Sequence, residues 1–439
     1  NNSFYIRSFS IDNNKIVYAS EGKLFLLDVK QQETTELKIK LNSNFNQAQT
    51  RYENASDYLS DFSLSKDKQK ISITARGQIF SMYPWSKSPL RVGDKEKRYK
   101  MSFHLANTSG ILAIELNEQN EEEFVLISDE KLNKLTIPSK KSFGKVWTTS
   151  LSPCSTYLAF STNRNQLWIL NVKTRIFNKI DDTRKLPLLS VNFSKISWSP
   201  CSKFITYSTA IDNRRSGIKI YNLESKSKKN LISPILYDWS PVFCPSGKYI
   251  YFLGIREFHP IYNETHFELG FPYASRPYIV ILSREDKSPL DSCLEINEEN
   301  EEEDDKKKTP ITKIDYQDIE SRVLPVPIRL GGYIDLIPTK NKLLYLKEKT
   351  TTPNPATKVE YGDDNLYQFS FKTLKEELFH DKIDDYSLST NNDYILLRTH
   401  EKLRLISTDE KPNDEDDTGL FNKKDGWIDM TPISIKIDP

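Results

Sequence analysis

A four-part pattern repeated at a near-constant spacing constrains this chain more than any other feature. One unit opens at Thr149 as TSLSPCST and continues through YLAFST, NRNQLWILNV and KTRIFNKI to Ile180. The next, Lys195 to Ile232, reads KISWSPCSKFITYSTAIDNRRSGIKIYNLESKSKKNLI. Each unit offers a brief strand before a Ser-Pro turn, an alternating strand after it, a third strand ending in Asn or Asp, and a polar fourth. Period-2 alternation between Pro, Ser, Asn and Lys clusters is the mark of short strands joined by turns. The turns recur near Ser65, Ala106, Ser152, Ser199, Cys244, Pro338 and Ser389. Most intervals are about 40–50 residues, the length of a four-stranded propeller blade.

The one double interval, Cys244 to Pro338, holds an aromatic-rich loop (Phe258 to Tyr273) and the acidic tract EINEENEEEDDKKK, residues 295–308. One blade carrying insertions accounts for it, and so dense a charge run reads as a disordered rim loop. An eighth copy, FSIDNNKIVYASEGKLFLLDVKQQETTELKI, precedes the others, followed by the polar connection LNSNFNQAQTRYENASDY. An eight-bladed ring competes with a seven-bladed ring preceded by the last blade of another propeller. The connection, about 20 residues, exceeds the other links and favours the second arrangement. The predicted fold is therefore all-β: a seven-bladed β-propeller preceded by one blade's worth of a neighbouring propeller. No segment has sustained helical periodicity, although Leu374 to His380 reads as one helical turn.

Composition removes several function classes. Sixty-two basic against 61 acidic residues give a net charge of +1, so no nucleic-acid or anionic-membrane partner is expected. No apolar run approaches a membrane span. Four cysteines are too few for a disulfide scaffold; Cys154, Cys201 and Cys244 occupy corresponding turns of successive repeats and read as reduced thiols of a cytoplasmic protein. With five widely spaced histidines there is little from which to build a metal centre, and no cofactor is expected. Nucleophile-elbow, zinc-protease, P-loop and Cys-x-x-Cys motifs are absent from the sequence. Of the histidines, His259 and His266 in the aromatic insertion come nearest to a general base, with packing against aromatics as the plainer role.

Four stretches stand outside the generic repeat: ENASDYLSDFSLS (Glu53 to Ser65), TARGQIFSM (Thr74 to Met82), IREFHPIYNETHFELGFPYASRPYIVIL (Ile255 to Leu282) and GWIDM (Gly426 to Met430). Together they resemble the tricorn protease family, large serine peptidases that trim oligopeptides. The third is the most specific, because an aromatic insertion ending in RPY is not a general propeller feature. The cysteines in the turns, where relatives often carry Asp, and the acidic tract depart from the family pattern. The resemblance implies residues 1–47 as the last blade of a preceding six-bladed propeller, 48–420 as a seven-bladed propeller, and 421–439 as a linker toward PDZ-like and catalytic segments. It places the nucleophile, histidine and supporting carboxylate in those later domains, so no catalytic residue is assigned here, although the parent protein would be a peptidase. The implied role is a non-catalytic module that guides or filters unfolded oligopeptides through its channel toward a remote active site, in a homo-oligomeric assembly. A stand-alone propeller scaffold for protein–protein interaction is the alternative, and a propeller lid of a prolyl-oligopeptidase-type enzyme a third.

One residue pattern points to a candidate site. The connection between second and third strands carries a cation or histidine in five repeats: Arg76, Arg164, Arg214 with Arg215, Arg256 and His400. In a propeller these connections share one face, so the residues would form a broken ring at a channel mouth. Guanidinium groups there would attract peptide carboxylates through charge-assisted hydrogen bonds. The structural alternative is that each braces its own turn.

Overall fold

The Ser-Pro turns are the local device from which the architecture is built. In five repeats a Ser or Cys accepts, at its side chain, the backbone N–H five residues ahead: Lys70 to Ser65 (2.9 Å), Tyr157 to Ser152 (3.0 Å), Phe204 to Ser199 (3.0 Å), Tyr249 to Cys244 (3.2 Å) and Tyr394 to Ser389 (3.0 Å). Three residues past each acceptor the chain turns through positive φ, at Lys68, Ser155, Ser202, Gly247 and Asn392. The side chain supplies the bond that the turning backbone cannot, and the next strand leaves antiparallel to the first. Cys154 and Cys201 stand two residues after Ser152 and Ser199, within hydrogen-bond reach of their hydroxyls (3.4 and 3.3 Å), as Asp67 stands to Ser65. The thiols are turn residues.

The computed structural model describes residues 5–40, 49–86, 88–106, 110–128, 134–136, 143–183, 193–212, 214–257, 260–263, 268–270, 274–293, 309–348, 364–412 and 419–437. The acidic tract, His259, His266 and much of the aromatic insertion lie outside them. Among the described residues, strands assemble into antiparallel four-stranded sheets in chain order. The N-terminal sheet spans Ser8 to Leu37. It is followed by seven sheets whose first strands are Leu59–Leu64, Arg98–His104, Val146–Leu151, Ile196–Trp198, Tyr237–Phe243, Tyr333–Pro338 and Asp385–Leu388. The fourth and fifth of these share one parallel bridge, Ser216 with Tyr237. In the fifth, Arg276–Ile281 returns as the third strand after the aromatic insertion, as the RPY segment predicts. Leu374 to His380 is not helical: Lys375–Ile383 is the fourth strand of the sixth sheet, its exposed Glu-rich face being an outer edge.

The core lies between sheets. Ile79 of the first sheet packs with Ile111 of the second, Phe124 with Phe160, Ile169 with Tyr207, Ile220 with Phe252, Leu253 with Tyr345, and Leu344 with Ile395. A final cluster joins Leu396, Leu403 and Leu405 of the seventh sheet to Phe62, Ile73 and Phe80 of the first. The succession of interfaces therefore closes on itself. Because middle strands are covered on both faces, strands such as Ile71–Ala75 are buried along their whole length. Their alternate polar residues bond to the next sheet, Thr74 Oγ1 lying 3.0 Å from Ser102 Oγ, and Ser63 of the first strand donates to the Ser102 carbonyl at 2.8 Å.

The chain ends depart from the predicted boundary. Residues 421–437 are not a plain linker, since Trp427–Ile428 is the outer strand of the seventh sheet. Ser434–Ile437 then pairs antiparallel with Arg51–Asn54, ahead of the first sheet. Ile433, Ile435 and Ile437 are buried in the seam cluster with Ala55. Closure thus combines face-to-face packing with a two-stranded clasp, while each of the seven sheets keeps strands from one continuous stretch of chain. The sequence hides the clasp because its strands lie outside the repeat.

Candidate functional site

The first strands line a central cavity of about 540 Å³, with Asp61, Phe103, Thr148, Lys195, Val242, Asp335 and Asp385 drawn from all seven sheets. Five lining residues are charged, and all but Lys66 occupy one register: Asp61, Lys195, Asp335 and Asp385 each stand four residues before the turn residues Ser65, Ser199, Thr339 and Ser389. Local backbone supports the placement. Register shifts occur between Leu59 and Asp61 and between Tyr333 and Asp335, and bulges of this kind re-aim side chains.

Lys195 Nζ donates to Asp335 Oδ2 at 2.5 Å and to the Tyr386 hydroxyl at 2.8 Å; that hydroxyl donates to the same carboxylate oxygen at 2.5 Å. Burial disfavours the ammonium, but Asp335 and Tyr386 outweigh it and hold Lys195 protonated, well above the usual lysine range. Asp61 is in the opposite situation. Burial pushes its carboxyl up to about 7, and neighbouring Asp385 adds to the rise, against a backbone hydrogen bond from Ser102. Asp385 is raised too, first by burial. The cavity wall thus carries carboxyl groups from the first, sixth and seventh sheets, with Lys195 of the fourth reaching toward them.

The six residues singled out from the sequence do lie on the connections between second and third strands, at the end of the sheets where the first strands begin. None of them lines the cavity. Arg256 is buried on Asp238, with Nε to Oδ1 at 2.9 Å and Nη2 to Oδ2 at 2.6 Å. Arg215 Nε pairs with Asp212 Oδ2 at 2.7 Å, and the backbone N–H groups of Arg214 and Arg215 both donate to Asp212 Oδ1. The exposed His400 caps Asp384 through its backbone N–H at 2.5 Å. Arg76 is exposed, its guanidinium 5.3 Å from the Tyr58 ring centre, and Arg164 is exposed on its turn. Asp238 on a first strand and Asp212 on the connection itself thus neutralise part of the ring that the sequence suggests. Sequence reasoning missed Lys195, Asp335 and Tyr386; for Lys195 and Asp335 the available signal was a charge four residues before the turn.

No group of His, Cys, Asp and Glu side chains that could hold a metal ion occurs among the described residues. Ser81 Oγ lies 3.3 Å from His104 Nε2; both residues are buried, and His104 borders the central cavity. Cys154 is brought down to about 7, since hydrogen bonds from Ser152, Thr156 and Ser202 overcome the raising effect of burial. Burial raises Cys244.

Comparison with known proteins matches residues 59–409 to the tricorn protease second beta propeller domain. The chain is 28% identical over 441 residues to a Tricorn-like protease C-terminal subunit of Sulfurisphaera tokodaii, covering 99% of this chain and 47% of that protein. It is 24% identical over 438 residues to a Tricorn protease homolog of Saccharolobus solfataricus, covering 99% of this chain and 38% of the relative. The chain therefore spans about half or less of the curated relatives it matches. The crystal structure of the tricorn protease superposes with a TM-score of 0.71 at 16% identity, over 99% of this chain and 40% of that one, a likeness of fold. Repeat, closed succession of sheets and family match agree: the chain belongs to the tricorn protease family, with residues 59–409 as its second β-propeller domain.

Proposed function

We propose that this chain is a non-catalytic propeller module of a tricorn-like serine peptidase, guiding or filtering unfolded oligopeptides through its channel toward a remote active site. The ring comprises seven blades, and residues 1–47 are the last blade of a preceding propeller. The observation that carries this reading is the cavity walled by the first strand of every sheet in the ring. A rigid wall of this kind admits an extended chain and refuses a folded domain. The neighbouring-propeller assignment is supported by the N-terminal sheet, whose Phe9 and Ile11 are 68% and 59% exposed, as expected of a blade whose partner blades belong to another ring. The exposed cations at the channel end, Arg76 and Arg164 foremost, would draw peptide carboxylates toward the mouth. The PDZ-like and catalytic domains, a cytoplasmic location and a homo-oligomeric assembly complete the proposal.

Peptide hydrolysis by the full-length polypeptide tests it. Thr148→Trp and Thr390→Trp place bulky rings at opposite ends of the cavity. Hydrolysis of peptides longer than about ten residues should fall, while that of short fluorogenic peptides stays the same. Unchanged hydrolysis of long peptides would sink the channel, and activity in the isolated fragment would sink the non-catalytic assignment.

A further inference from the structure

We propose that Lys195, Asp335 and Tyr386 form a crossbar that closes the channel to an extended chain, and that a peptide enters only when this bar is displaced. The inference rests on the channel reading above and names the residues that regulate it.

The walls they join are not neighbours. Lys195 enters the first strand of the fourth sheet, Asp335 sits in that of the sixth, and Tyr386 in that of the seventh. The fifth sheet intervenes between fourth and sixth, packing against both. From fourth to seventh, two sheets intervene in one direction and three in the other. Hydrogen bonds of 2.5 and 2.8 Å between such walls can only run across the lumen. An extended chain with its side chains needs about 10 Å of clearance, and the bonded triangle leaves none along its line.

The bar is pre-aligned. The Leu336 N–H donates to Asp335 Oδ1 at 2.9 Å, fixing the carboxylate from behind, and the Lys195 ammonium stands 5.2 Å from the Tyr386 ring centre. It is also built to open. Side-chain exposures of 24% for Lys195 and 17% for Asp335 leave both partly open to the cavity. An apolar bridge would hold the walls together as well as an ion pair does, whereas a hydrated, charge-assisted triangle can exchange partners with solvent or with the polar backbone of a threading peptide.

The experiment uses the full-length polypeptide, with a long fluorogenic peptide and a short one. Lys195→Met keeps the aliphatic stem and removes the ammonium. It should raise kcat/KM for the long peptide by about threefold or more and leave the short one unchanged. Lys195→Asp combined with Asp335→Lys rebuilds the pair in reverse and should return the ratio to that of the parent. Should Lys195→Met fail to fold, Tyr386→Phe removes one arm without a charge change and should shift the ratio the same way. Thr148→Trp separates this inference from the one beneath it. If it blocks the long peptide while Lys195→Met and Tyr386→Phe change nothing, the crossbar is refuted and the channel stands. If none of these variants has any effect, both fall.

Discussion

Arg256→Ala separates a brace from a mouth residue. In the structure Asp238 is 0% exposed and its partner 9%, joined by two hydrogen bonds of 2.9 and 2.6 Å. The guanidinium also stacks 5.0 Å from the Phe252 ring centre and donates to the Ser233 carbonyl. Burial raises Asp238 even with Arg256 opposing it, so the carboxylate depends on this one cation. Removing one partner of such a pair costs about 3–5 kcal/mol, because a charge is left uncompensated. Unfolding entropy of about 2.1 cal/mol/K per residue over a ring of roughly 350 residues makes each kcal/mol worth about 1.4 °C. Differential scanning calorimetry should therefore find Arg256→Ala melting about 4–7 °C below the parent. Arg256→Ala with Asp238→Ala should recover at least half of that loss, since the orphan charge is gone. A single variant that melts within a degree of the parent, or a double variant that loses the full sum, refutes the brace. A change in long-peptide hydrolysis without a change in melting would return Arg256 to the channel mouth.

Two further perturbations probe the channel and the seam. Asp61 sits at about 7, above its ordinary 3.8, so its protonated form favours the folded state; that contribution is complete below about pH 4 and is lost as pH rises toward 7. Asp61→Asn should therefore raise the melting temperature at pH 8, by an amount equivalent to about 1–3 kcal/mol after allowance for channel water, and the gap should narrow at pH 5; an equal shift at both values contradicts the burial argument. Ile435 is fully buried in the seam cluster opposite Glu53, so Ile435→Ala should cost about 2–4 kcal/mol and expose the junction of first and seventh sheets to limited proteolysis; protection equal to the parent's would show that face packing alone closes the ring.

The part of the fold that repeats was legible because its causes are local. A Ser or Cys capping the N–H five residues ahead, a residue at positive φ and an alternating strand recur in the same order, so the turns at Ser65, Ser152, Ser199, Cys244 and Ser389 could be read directly. Features used once were not legible. The strand Ser434–Ile437 has no counterpart in the repeat, and its partner Arg51–Asn54 lies more than 380 residues away in sequence. The strand Lys375–Ile383 looked helical because an outer edge strand in water carries Lys and Glu in place of the alternation that burial imposes.

The candidate site divides along the same line. Sequence placed Arg76, Arg164, Arg214, Arg215, Arg256 and His400 on equivalent connections, and the structure agrees; but connection and charge do not say which carboxylate stands opposite. Asp238 reaches Arg256 from 18 residues away on an adjacent strand, and that pairing turns an apparent rim cation into a buried brace. The lumen residues are further from local logic still. Lys195, Asp335 and Tyr386 lie up to 191 residues apart and meet only because the ring closes. By itself, then, the sequence determined the repeat, the strand order and the family, all written in short-range hydrogen bonding and period-2 burial. Tertiary structure alone decided how the ring is clasped, which cations are neutralised and which side chains meet across the central cavity, because these depend on contacts between sheets that the chain brings together only after it has gone round.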